Sequence, residues 1–176
     1  MKYLFILIFL ETVNLYSQVS DITRFPFLNK EDGYRESVPI VISNNEILII
    51  YSRGSSSSSN YWQSIIDTLY YSKSSDGGRS WSNPVCILEL GINNDFDRNW
   101  YLTSIRTSSG RIIIAWYQQY PSPNSIKLIN SDDNGITWSD TTSINSTSSF
   151  NCNLSEINPG KILISYTNYN GTSVRY

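Results

Sequence analysis

Three times along the chain a tight polar turn leads into an apolar run rich in β-branched residues. The runs are "SNNEILIIYS" (43–52), "SSGRIIIAWY" (108–117) and "NPGKILISYT" (158–167). A recurrence at about fifty to sixty residues constrains the fold more than any other feature, because self-similar units of that length stack into arrays. Each run is too short for a helix and reads as a buried strand. A short stretch precedes each turn ("SVPIVI", "YLTSIRT", "NCNLSEI"), and a third follows each run ("DTLYYSKS", "NSIKLINS", "GTSVRY"). In the first two units the third stretch enters a glycine turn, within "SKSSDGGRSW" (72–81) and "NSDDNGITW" (130–138). A fourth stretch comes next, "NPVCILEL" and "DTTSIN". The unit is therefore strand, turn, strand, loop, strand, glycine turn, strand.

Four-stranded antiparallel units in sequence are the blades of a β-propeller, which usually holds ~4–8 of them. The expected fold is all-β, a partial propeller over 18–176 with blades at about 37–90 and 99–146 and an incomplete one at 150–176. A lone blade leaves apolar faces and a sheet edge uncovered, so further blades or self-association are the expected partners. Composition agrees: 14% aromatic residues and only 16% charge suit strands and turns.

The net charge of -2, without a basic cluster, argues against nucleic acid as the main partner. The chain has no His, which removes Ser/His and Cys/His catalysis and the commonest metal ligand. No metal or cofactor is expected. Cys86 and Cys152 fit neither a zinc nor a redox spacing, and a disulfide or two separate buried thiols are both open. Residues 1–17 read as a signal peptide whose apolar run, Tyr3 to Leu10, is too short to span a bilayer. The chain is expected to be exported, to a secreted, periplasmic or cell-surface location, without a membrane span.

Both glycine turns fit the pattern S-x-D-x-G-x-[ST]-W. One comprises Ser74, Asp76, Gly78, Ser80 and Trp81, the other Ser131, Asp133, Gly135, Thr137 and Trp138. The pattern resembles the Asp-box, or bacterial neuraminidase repeat, found between the third and fourth strands of blades in sialidase-type propellers. The resemblance covers essentially all of residues 35–176, and it implies six blades in a complete propeller. Residue chemistry assigns the box a structural role. Gly78 and Gly135 can take φ > 0 where the hairpin reverses. Asp76 and Asp133 can accept hydrogen bonds from the turn's own N–H groups. A phosphate loop would need a GK[ST] ending and a following helix, and one carboxylate in the first copy is too few for calcium.

Strand alternation puts the Asp-boxes at one end of the blades and the loops between second and third strands at the other. Function on a rigid scaffold is usually carried by such loops. The resemblance implies an acidic sugar held by arginines, with an Asp as general acid/base and a Tyr–Glu pair as nucleophile. A planar guanidinium matches a carboxylate with two hydrogen bonds. Arg35 in "GYRESVP" resembles the family's Tyr-Arg-Ile-Pro segment, with two extra residues before Val38-Pro39. Arg53 resembles a further family arginine at the substrate pocket, and Arg98 and Trp62 are further substrate-binding candidates. The loop expected to hold the acid reads "GSSSSSNYW" at 54–62, and Asp67 is the nearest carboxylate beyond it. Arg35 and Arg53 can equally be solvated or paired with Glu31, Asp32 or Glu36, and Arg98 can belong to turn chemistry. Two functions follow: part of an exported exo-sialidase or related glycosidase, inactive alone, or a non-catalytic propeller that binds glycans, sialylated ones included, or protein ligands.

Overall fold

A computed structural model describes residues 34–53, 68–90, 99–118, 125–145, 149–168 and 171–175. Within them every regular element is a strand. The first sheet is β1 (Tyr34–Val41), β2 (Ile47–Arg53), β3 (Thr68–Ser74) and β4 (Val85–Glu89). The second is β5 (Asn99–Arg106), β6 (Ile112–Gln118), β7 (Ser125–Ser131) and β8 (Thr142–Asn145). The third is β9 (Ser149–Asn158), β10 (Lys161–Asn168) and β11 (Gly171–Arg175). Strand order within each sheet follows chain order and every pairing is antiparallel, as in propeller blades.

The sheets pack face to face through their apolar runs. Ile40, Leu48, Ile50 and Leu69 of the first sheet meet Leu102, Ile112, Ile114, Trp116 and Ile129 of the second. On the opposite face, Ala115 and Ile126 meet Cys152, Leu154, Ile164 and Tyr166 of the third. The second sheet is thus covered on both sides, which explains why "IIIAW" is apolar at every position rather than at alternate ones. Each fully buried Leu or Ile contributes about 1.5–3 kcal/mol through removal from water. The first strands share one side of the array, with β5 lying between β1 and β9.

Register fixes the two ends of the blades. Val41 pairs with Ile47, and Ile47 with Ser74, at the end that carries the Asp-box. Tyr34 pairs with Arg53, and Arg53 with Thr68, at the loop end. The strand β1 begins three residues ahead of the expected 37 because it carries a bulge between Tyr34 and Ser37. That bulge takes up one of the two residues by which this segment exceeds the Tyr-Arg-Ile-Pro pattern. Both cysteines are free thiols, so the disulfide alternative does not hold. The pair-of-buried-thiols alternative is half met: Cys152 is buried on β9, while Cys86 is exposed on β4. The proposed signal peptide lies outside the described residues.

Candidate functional site

The Asp-box end consists of closed hydrogen-bond circuits. In the first copy Ser74 Oγ donates to Asp76 Oδ1 (2.8 Å) and accepts from Gly78 N (2.7 Å). Asp76 accepts from Ser80 N (2.9 Å) and Ser80 Oγ (2.6 Å). The second copy repeats this: Ser131 Oγ to Asp133 Oδ1 (2.7 Å), Gly135 N to Ser131 Oγ (2.8 Å), and Thr137 N and Oγ1 to Asp133 (2.9 and 2.6 Å). Two successive residues take positive φ in each, Gly77 and Gly78 in one, Asn134 and Gly135 in the other. These donors hold both carboxyls down at about 2, the Ser80 and Thr137 hydroxyls being the largest cause. Their carboxylate oxygens accept hydrogen bonds from within the turn itself.

One residue of the circuit is absent from the pattern read in the sequence. Ser82 accepts from Lys73 N (3.0 Å) through its hydroxyl and donates its own N–H to Lys73 O (2.9 Å). Ser139 does the same with Asn130 (3.0 and 2.8 Å). The signal was present, since a serine follows the tryptophan in both copies.

The loop end is different in kind. Here each first strand carries an extra residue: β1 between Tyr34 and Ser37, β5 between Trp100 and Thr103, and β9 opposite Thr167 and Asn168. The first two bulges are bound to each other. Buried Ser52 accepts from Glu36 N (3.1 Å), anchoring the β1 bulge. The Glu36 carboxylate then crosses to the second sheet and accepts from Tyr101 N (3.3 Å) and Leu102 N (2.5 Å). Tyr101 itself takes φ 59°, a left-handed conformation rare for a bulky side chain.

An open groove of about 490 Å³ lies over this junction. It is lined by Glu36, Ser37 and Val38 from β1, Tyr101, Leu102 and Thr103 from β5, and Cys152 and Asn153 from β9. The lining combines hydroxyl, amide and carboxylate groups with one aromatic ring. Cys152 Sγ lies 3.8 Å from the Tyr101 carbonyl oxygen, and burial, reinforced by the Glu36 charge, pushes the thiol up to about 12. It is a neutral lining group and not a nucleophile. At the opposite end of β5, Glu156 from the third sheet accepts from Ser108 N (2.6 Å), Ser108 Oγ (3.0 Å) and Gly160 N (3.0 Å). Two glutamates therefore bind the second sheet to its neighbours, one at each end.

Of the residues singled out in the sequence, Arg53 is exposed at the loop end of β2. The backbone of Arg35 runs through the β1 bulge, and its side chain lies outside the described groups. Arg98, Trp62 and Asp67 lie outside the described residues. All ten Asp-box residues sit at the opposite end from the groove. The sequence reading placed Glu36 only as a salt-bridge partner, marked Asn153 only as the start of an N-x-S/T sequon, and passed over Tyr101 and Thr103. Nothing in the residue pattern marks a tyrosine at positive φ.

No family model matches the chain, and no curated protein matches it. Among solved structures it is similar to one described as Hadza microbial sialidase Hz136, with a TM-score of 0.58 and 17% identity. That match covers 85% of this chain and 32% of the other. It is also similar to a protein of unknown function from Dyadobacter fermentans DSM 18053 (TM-score 0.57, 14% identity, 83% of this chain and 50% of the other). The chain spans about a third and a half, respectively, of those two proteins. The likeness is one of fold: this chain is an all-β array of sialidase-like blades.

Proposed function

We propose that the chain recognises glycans at the loop end of its blades and contributes that surface to a sialidase-like protein. The observation that carries this reading is the groove over the starts of three inner strands. There, hydroxyl, amide and carboxylate groups stand beside an aromatic ring, a combination suited to a ligand with many hydroxyls. In this reading Arg35 and Arg53, both placed by β1 and β2 at the loop end, supply the positive charge for an acidic sugar. Hydrolysis belongs to the longer protein, with Asp67 as the nearest carboxylate for the acid role. The serine-rich 54–62 segment, without a carboxylate, favours binding without turnover by this chain alone.

The test is retention on a glycan array together with hydrolysis of a fluorogenic sialoside, for the chain and its Arg35→Ala and Asp67→Asn variants. The expected outcome is glycan retention, at least tenfold weaker for Arg35→Ala, and no hydrolysis. A tenfold loss corresponds to about 1.4 kcal/mol, just under the roughly 1.5–3 kcal/mol of a hydrogen bond to a charged group. Failure to retain any glycan would overturn the proposal. Turnover lost in Asp67→Asn would convert it into an enzyme reading.

A further inference from the structure

We infer that Tyr101 is the aromatic platform of the groove, on which the apolar face of a pyranose ring stacks, and that Glu36 is the positioning residue that holds it there. The inference rests on the glycan reading above and adds the residue and contact mode to it.

The backbone is the first reason. A non-glycine residue in the left-handed region costs roughly 1–2 kcal/mol, and such strain in folded proteins concentrates at ligand sites. A bulge needs an extra residue, not a large one; glycine, or asparagine as at Asn134, would fill this position with less strain. The second reason is placement. The Tyr101 side chain is not in the core: the residue is 37% exposed and borders the groove.

The third reason is support. Glu36 accepts from the N–H groups of Tyr101 and Leu102, fixing the two peptide planes that set the direction of the ring. Glu36 is held in turn by Ser52, and Cys152 lies against the Tyr101 carbonyl. An aromatic side chain has a negative face that attracts the weakly positive C–H groups of a sugar's apolar side. Thr103 and Asn153, lining the same groove, supply a hydroxyl and an amide for the sugar's own hydroxyls. The ligand class is a saccharide with a stackable pyranose, neutral or acidic.

The experiment titrates the chain with lactose and with 3′-sialyllactose, following saturation-transfer NMR, and records the melting temperature of every variant. Tyr101→Phe, which keeps the ring, is expected to bind more tightly than either ring-less variant. Tyr101→Gly and Tyr101→Asn, which remove the ring and relieve the backbone, are expected to weaken binding about three- to tenfold while Tm stays level or rises. Glu36→Ala is expected to weaken binding without adding to the loss in Tyr101→Asn, as residues acting through one contact do. Unchanged affinity in both ring-less variants overturns the platform role and leaves the glycan reading standing. Loss of affinity together with a fall in Tm in both variants makes Tyr101 a structural residue and also overturns it. If the original chain binds neither sugar, the underlying glycan reading falls, and the platform with it.

Discussion

The two Asp-boxes share nearly every internal bond and differ in what lies beneath them. Gly135 of the second box is buried, and a Cβ placed there would lie 3.0 Å from Leu48 Cδ2 of the first sheet. Its Trp138 packs against the core between the first two sheets, with a buried Nε1 that has no hydrogen-bond acceptor among the described residues. In the first box Gly78 is half-buried, and Trp81 donates its Nε1–H back to Gly78 O (3.0 Å). The circuit of Ser, Asp and Ser/Thr is therefore a property of the turn itself. The burial of Gly135 and the packing of Trp138 on the core are properties of the neighbouring sheet. Among the described residues the motif locks its own hairpin in both copies, and the second copy also seals the interface between the first two sheets.

The largest expected effect tests that seal from the other side. Leu48 is fully buried and touches the space under the second box, so Leu48→Ala should destabilise the chain by about 2–5 kcal/mol in urea denaturation. A cost below about 1 kcal/mol would show that the box does not bear on the first sheet. Next comes a paired comparison within the turns. A Cβ added at Gly77 (φ 73°) would meet open space, whereas one at Gly135 (φ 86°) would face Leu48. Gly77→Ala should cost the left-handed strain alone, about 1–2 kcal/mol. Gly135→Ala should add about 1–3 kcal/mol of overpacking. Equal costs would show that Leu48 does not crowd the Gly135 position.

How much of this the sequence reveals follows the range of the forces involved. The period, the β-branched runs and the glycine turns are local signals, and they locate all eleven described strands to within a few residues. The "IIIAW" run even carries its double burial in its composition, since a half-exposed strand would alternate. The groove is not legible in the same way. Its lining comes from three strands separated by more than a hundred residues, and its form depends on bulges, which are set by pairing partners and not by residue type. Glu36 shows the limit: from its neighbours it reads as a partner for Arg35, but the fold sends its carboxylate to two backbone N–H groups 65 and 66 residues away.

The smallest expected effect concerns charge, and here the two boxes should behave alike. The Asp76 and Asp133 carboxyls titrate at about 2 in the folded chain, against 3.8 for an ordinary aspartate. A folded value below the unfolded one means each carboxylate stabilises the fold above about pH 4, and that this contribution is lost as pH falls towards 2. Glu156, lowered by the N–H groups of Ser108 and Gly160, adds to the same acid loss in every variant. Melting temperatures between pH 7 and pH 2 should therefore fall less steeply on the acid side for Asp76→Asn and for Asp133→Asn than for the original chain. The two variants should flatten the slope by the same amount, because the donors to each carboxylate come from its own turn. A markedly larger change in Asp133→Asn would mean that the neighbouring sheet reaches the carboxylate as well as the glycine. Locking and sealing would then be one coupled device, and the circuit could no longer be treated as a property of the turn alone.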